Sequence, residues 1–270
     1  MIDFHVDTAS EIYYQRKELF ENSLSVDIEK LKKSNSMAQF FAMFIDKKDT
    51  DSPFKLTNSM IDYFEKEVSL NRIDISICSS YEDFKNLSDG QIAAFLTIEE
   101  GEALEGKIEN LSKFKERNIS LITLLWNYEN SIGYPNIKKD FQKIGLKPFG
   151  IEVIKEMNRL KMIIDTSHLS DGGFIDAINH SNAPIIASHS NSRAMTNHSR
   201  NLSDSMIRRL SDNGGLMGMN FSNAFMRKKS ISKLKSTLKS SNHHSIVICP
   251  LRMLTTTTNS TNTRFVSTHR

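Results

Sequence analysis

Acidic side chains are absent from the last fifty positions of this chain, and so is glycine. Residues 221–270 hold nine Lys+Arg and no Asp or Glu, and they include the threonine run from Thr255 to Thr258. The formal net charge of +3 therefore belongs to the tail, because the first 220 residues hold 26 Lys+Arg against 32 Asp+Glu. So sharp a break marks a separate segment or a chain end foreign to the rest. Cysteine is scarce as well. Cys78 and Cys249 stand far apart and in no metal-like spacing, which excludes a disulfide framework and points to a reducing compartment. No stretch approaches the roughly 20 consecutive apolar residues that a membrane helix needs. Met1–Ser10 carries two Asp and a His and no apolar run, so it does not read as a signal peptide. These absences lead us to expect a soluble cytoplasmic protein without a membrane partner. No internal repeat is visible.

What is present is an ordinary globular composition. Of the 270 residues, 39% are hydrophobic and 25% charged, enough for a large core in one domain. Seven short apolar runs recur: residues 2–8, 38–45, 92–99, 120–126, 162–168, 183–188 and 215–221. Most are near-continuously apolar, as in strands of a parallel sheet buried on both faces. Helical patterns lie between them. Residues 149–160 place Ile151, Ile154, Met157 and Leu160 on one stripe. Residues 174–179 follow a capping Ser170-Asp171, and residues 203–210 stop before Asn213-Gly214-Gly215. This alternation predicts an α/β fold, a (β/α)8 TIM-type barrel that is incomplete at its C-terminus. Ser245–Cys249, followed by Pro250, is the tail's one candidate for an eighth strand, and we do not expect it to be a true barrel strand.

The chemistry gathers at the ends of these runs. Asp3, His5 and Asp7 alternate along the first strand and would share one face, pointing into the barrel. Glu99 and Glu100 end the third run, Asp165 and His168 the fifth, and His189 follows the sixth. Barrel active sites form at the C-terminal ends of strands, each strand supplying a residue. His5, Asp7, Glu99, His168 and His189 occupy that position on four strands, so metal ligation outweighs isolated core histidines. Three imidazoles and two carboxylates exceed the needs of one zinc. A carboxylate can bridge two ions, as in two-metal hydrolases, and the set points to hydrolysis of an amide or ester. Asp165, three residues before His168, would face away from it in a structural or supporting role. His180 and His198 read as surface or structural, and Trp126 as a pocket wall.

Several segments together carry a resemblance. They are DFHVDT (residues 3–8), FLTIEEG (95–101), LLWNYEN (124–130), GLKPFG (145–150), MNRLKMIIDTSHLS (157–170), PIIASHSNSRA (184–194) and HSRNLSD (198–204). In order and spacing the chain resembles the membrane-dipeptidase (renal dipeptidase) family of zinc metallopeptidases from Met1 to about Phe221. The resemblance implies a zinc-dependent dipeptidase with two Zn2+ per chain. His5, Asp7 and a bridging Glu99 would hold one ion; Glu99, His168 and His189 would hold the other. Glu99 would be the catalytic residue. Arg200 would bind the free carboxylate of a dipeptide substrate, a task that suits a guanidinium fork. Glu100 falls where the family pattern has glycine; we read it as a solvated acid, not a ligand. The resemblance leaves room for a homodimer and implies no nucleic-acid partner.

Beyond residue 221 the resemblance stops. Family members continue with a strand bearing an aspartate that transfers a proton, whereas the last Asp here is Asp212. We therefore expect residues 1–221 to form most of the barrel and residues 222–270 to be an atypical basic Ser/Thr-rich tail of truncated or frameshifted origin. Two alternatives stand beside the dipeptidase reading. One is an inactive remnant that still binds metal; the other is a barrel metallohydrolase of cyclic amides. A nucleic-acid-binding tail is a more distant third.

Overall fold

The computed structural model describes residues 1–226 and the strand Ser245–Val247. All seven expected strands form. They are β1 (Ile2–Val6), β2 (Ala38–Phe44), β4 (Ile92–Glu99), β5 (Ile119–Thr123), β6 (Ile163–Asp165), β7 (Ile186–Ser190) and β8 (Leu216–Asn220), parallel and neighbours in that order. A short β3 (Ile75–Ile77) was not foreseen. It pairs with the start of β4, Ile75 opposite Ile92, while β5 pairs with the same strand's later half from Leu96 onward. The helices are α1 (Thr8–Gln15), α2 (Ile28–Lys33), α3 (Pro53–Leu70), α4 (Tyr81–Lys85), α5 (Glu109–Glu116), α6 (Pro148–Arg159), α7 (Asp171–His180) and α8 (Asp204–Asp212). The result is a nearly closed α/β barrel of seven parallel strands. β9 (Ser245–Val247) lies antiparallel on β8, with Met219 opposite Ile246, so it is not the parallel eighth strand of a (β/α)8 barrel. The rest of the basic segment lies outside the described residues.

Local signals explain the helix starts. The Ser170 hydroxyl accepts from Gly173 N at the head of α7, and the Ser203 hydroxyl accepts from Met206 N at the head of α8. Such caps satisfy an orphan N–H and are worth about 1 kcal/mol. Pro53 and Pro148 open α3 and α6, where the missing N–H costs nothing. α3 buries Thr57, Met60, Ile61, Phe64 and Val68 on one face, and Phe64 meets Phe41 of β2 at 4.7 Å between ring centroids.

Two layers of core result. The larger lies between sheet and helices. The smaller joins Phe4, Phe40, Leu121 and Ile186, which come from β1, β2, β5 and β7. Strands this far apart in the sheet can touch only across the barrel interior, so these residues plug it below the strand ends. Phe4 packs edge-on against Phe40 at 5.1 Å. The interior face of β1 is thus the Phe4 face, which corrects the expectation that Asp3, His5 and Asp7 share it. The register of β1 against β2 slips between Asp3 and Val6. A bulge of this kind re-aims the following side chains, and it delivers His5 to the mouth.

Candidate metal centre

His5, Asp7, Glu99, His168, His189 and Arg200 line a single cavity of about 450 Å³ at the C-terminal ends of the strands. Five of the six are buried, and Asp7 is partly exposed. Glu99 ends β4 on its interior face, two residues beyond Thr97 and four beyond Phe95. Its carboxylate is shared out by oxygen. Oε2 lies 3.3 Å from His5 Nε2, whereas Oε1 lies 3.1 Å from His168 Nε2 and 3.6 Å from His189 Nε2. Asp7 Oδ1 lies 3.3 Å from His5 Nε2 on the first side. His189 arrives by the same device as His5, because the register of β7 against β8 slips between Ala187 and Ser190. The His5 and His189 rings stack at 4.0 Å. His168 lies beyond the end of β6 in a left-handed turn at φ 70°, so strand alternation does not govern its direction.

Hydrogen bonds to the far ring nitrogens select tautomers. His168 Nδ1 meets Asn127 Oδ1 at 3.2 Å; that oxygen can only accept, so the proton sits on Nδ1 and Nε2 keeps its lone pair. Ser188 Oγ donates to Asp165 Oδ2 at 2.5 Å and lies 2.7 Å from His189 Nδ1. Its one proton is thereby committed to the carboxylate, so Nδ1 of His189 must be the donor and its Nε2 is bare. Asp165 is clamped in turn. Thr123 Oγ donates to it at 2.6 Å, and Ser188 N and Ser167 N donate at 2.8 and 3.0 Å. Asp165 therefore sits beneath the cluster, supporting His189, and its supporting role is as expected. Asn127 and Ser188 are contributors that sequence reasoning passed over. Their one signal was adjacency to Trp126 and His189.

The electrostatics follow from this packing. Burial disfavours a charge on His5, but the Glu99 and Asp7 carboxylates outweigh it and raise its pKa well above the usual value. Burial likewise pushes Glu99 up, yet the His5 charge beside it pulls its carboxyl well below the ordinary range. His168 falls to about 4, through burial first and the Arg200 charge second. His189 falls through burial and the nearby His5 charge. Two imidazoles thus present neutral Nε2 atoms 3.0 Å apart, converging with a carboxylate oxygen and with no proton between them. Lone pairs so close repel unless a positive charge lies beside them. Ligand atoms of His5, Glu99 and His189 also fall within 4.8 Å of one another. This donor set, imidazole nitrogen with carboxylate oxygen, fits a divalent cation.

Arg200 completes the floor on the other side. It is 3% exposed, and burial lowers its pKa to about 10, so it stays charged at neutral pH. Nη2 reaches His189 O at 3.5 Å, Nη1 has no hydrogen-bond partner, and the guanidinium carbon lies 5.6 Å from the Phe225 ring centroid. A buried guanidinium that lines a cavity and keeps an unsatisfied N–H is a ready anion receptor. Phe44, Trp126 and Ile137 supply an apolar wall, Trp126 meeting Phe44 edge-on at 4.9 Å, which agrees with the expected wall role. Of the two roles expected for His198, surface or structural, its contacts match the structural one. It lines the cavity, and its Nδ1 accepts from Arg200 N at 3.1 Å. His180 is exposed at the end of α7. Glu100 is not a solvated acid, because it is fully buried. It turns from the cavity to accept from Asn130 Nδ2, Glu102 N and Trp126 N, and burial pushes its carboxyl up to about 7.

A parallel barrel that gathers imidazoles and carboxylates at the C-terminal ends of its strands has the architecture of the barrel metallohydrolases. The family model for Membrane dipeptidase (Peptidase family M19) matches residues 1–261, and the chain belongs to that family. An uncharacterized dipeptidase of Schizosaccharomyces pombe is 33% identical over 227 residues, 77% of this chain and 54% of that protein. The chain spans about half the length of the curated relatives it matches. Among solved structures, dipeptidase AC, a metallopeptidase of the same family, superposes with a TM-score of 0.77 at 21% identity, covering 84% of this chain and 73% of that one. A metallopeptidase from Rhodobacter sphaeroides, liganded with a phosphinate mimic of the dipeptide L-Ala-D-Ala, gives 0.75 at 21% identity over 84% of this chain and 75% of its own. At that identity the likeness is one of fold. Among the described residues no helix is long and apolar enough to cross a membrane.

Proposed function

We propose that this chain hydrolyses the peptide bond of dipeptides with the help of two zinc ions. The observation that carries the reading is the division of the Glu99 carboxylate, one oxygen toward His5 and the other toward His168 and His189. That is the disposition expected of a carboxylate shared by two ions, with His5 and Asp7 on one side and His168 and His189 on the other. Divalent cations held there supply Lewis acidity, polarising a carbonyl and lowering the pKa of water toward neutrality. The protein's own part is placement. Arg200 offers its guanidinium to the substrate's C-terminal carboxylate, while Phe44, Trp126 and Ile137 give the cavity an apolar wall beside the scissile bond. The dipeptide mimic bound by the Rhodobacter sphaeroides relative supports the same substrate class. Residues 1–221 as the barrel domain and 222–270 as a distinct segment belong to the same reading.

A second reading, a chain that binds metal but turns over weakly, is favoured by one observation: no Asp or Glu follows Asp212. Hydrolysis of a dipeptide panel by the zinc-supplemented full chain separates the two. Turnover that disappears in His5→Ala is the expected result. A folded, zinc-loaded protein without turnover overturns the dipeptidase reading in favour of the second.

A further inference from the structure

The loop that carries Arg200 has little secondary structure of its own, yet it must hold a buried cation to within a fraction of an ångström. Arg193 does this holding. Its Nη1 and Nη2 donate to Asp171 Oδ2 and Oδ1, both at 2.7 Å, in a two-pronged pair. The rest of the fork turns to the backbone on either side of Arg200. Nε donates to Asn201 O at 2.9 Å and Nη2 to Ser199 O at 3.4 Å. Its own backbone N donates to Leu202 O at 2.8 Å, within a short parallel bridge between Ser192 and Leu202. Asp171 is the first residue of α7, three positions after His168. One side chain thus ties the carbonyls flanking Arg200 to the segment that carries a metal-ligand candidate. Only guanidinium can do so, because lysine has no planar fork to divide among a carboxylate and two carbonyls.

We propose that Arg193 is a positioning residue for recognition of the substrate's carboxylate, clasping the Arg200 loop to the head of α7 through Asp171. The inference rests on the reading of Arg200 given above. Loss of the clasp lets residues 198–202 drift and blunts selection for a free C-terminal carboxylate, while leaving the metal ligands in place.

Trp126 is the chain's single tryptophan and lines the cavity, so its fluorescence reports binding without turnover. The zinc-supplemented full chain is titrated with a phosphinate dipeptide mimic and with the same mimic as its C-terminal carboxamide. We expect Arg193→Ala to weaken the carboxylate ligand roughly tenfold and the carboxamide hardly at all. Arg193→Lys should fall near Arg193→Ala, and it carries the test if the alanine variant does not fold. Equal loss for both ligands, or no loss, in a variant with unchanged zinc affinity overturns the clasp. Arg200→Ala is the control. Discrimination lost there but kept in both Arg193 variants sinks the clasp alone. An Arg200→Ala variant that still prefers the carboxylate, or an unmodified chain that binds neither ligand, sinks the reading of Arg200 together with the clasp.

Discussion

Ser188 Oγ has one proton to give, and Asp165 takes it. That assignment makes a testable difference between two small substitutions. Ser188→Ala removes the acceptor for His189 Nδ1 and should lower zinc affinity about 10- to 100-fold, the usual cost of losing such a support. Asp165→Asn should cost at least as much. An amide N–H facing Ser188 would let the hydroxyl turn its proton toward His189, forcing the proton of the neutral ring onto Nε2. Calorimetric titration with zinc reads both, and unchanged affinity in folded Ser188→Ala would show that this hydroxyl does not set the tautomer. Glu100 offers a second test at the same scale. Its backbone stands at φ 99°, a region where side chains are strained and glycine is at ease. The family pattern has glycine there. Glu100→Gly and Glu100→Ala lose the same carboxylate contacts, so the glycine variant should be the more stable by about 1–2 kcal/mol in urea unfolding. Equal stabilities would remove strain from the account.

At the scale of elements, the parallel strands were legible because continuous apolar runs bury both faces. β2 and β4 are buried along nearly their whole length. The bulges in β1 and β7 were not legible. A register slip is a property of two strands together, and nothing in Asp3–Val6 or Ala187–Ser190 alone announces it. Yet the bulges bring His5 and His189 to the cavity, so strict alternation placed the right residues for an incomplete reason. The β7 bulge has a counterpart on β8. A methyl group added at Gly218 would lie 2.0 Å from Ser188 O, closer than any backbone atom tolerates. Gly218→Ala should therefore push the bulge away, destabilising the fold by about 1–3 kcal/mol and weakening zinc binding with it. Thermal unfolding and zinc titration check the pair of effects; a stability loss with zinc affinity intact would uncouple the bulge from the site.

For the whole molecule, three imidazoles and two carboxylates around one cavity are an electrostatic burden that a bound cation relieves. A cation that binds only the folded state stabilises by mass action, about 2.7 kcal/mol at a hundredfold excess over Kd. Zinc should accordingly raise the Tm of the chain, and chelation should lower it. His5→Ala should show a smaller shift. A Tm indifferent to zinc would mean that the cavity does not take the ion. The overall charge carries less information than its distribution. The acidic balance of the first 220 residues and the basic run that follows are distinct in composition, and the single strand described from the latter pairs antiparallel to the rest.

The residue types of the candidate ligands and their order along the chain are legible without a structure, because parallel strands bury short apolar runs and end in polar residues at one rim. The α/β barrel is legible for the same reason. Packing alone settles which atoms face one another: which Glu99 oxygen meets which histidine, that Asp165 reaches His189 through Ser188, and that Arg193 bonds to the carbonyls flanking Arg200. The widest of those relations, His5 with Glu99, joins residues 94 positions apart. All of them depend on strand register, on bulges and on where single hydroxyl protons point, and no local run of residues specifies any of these.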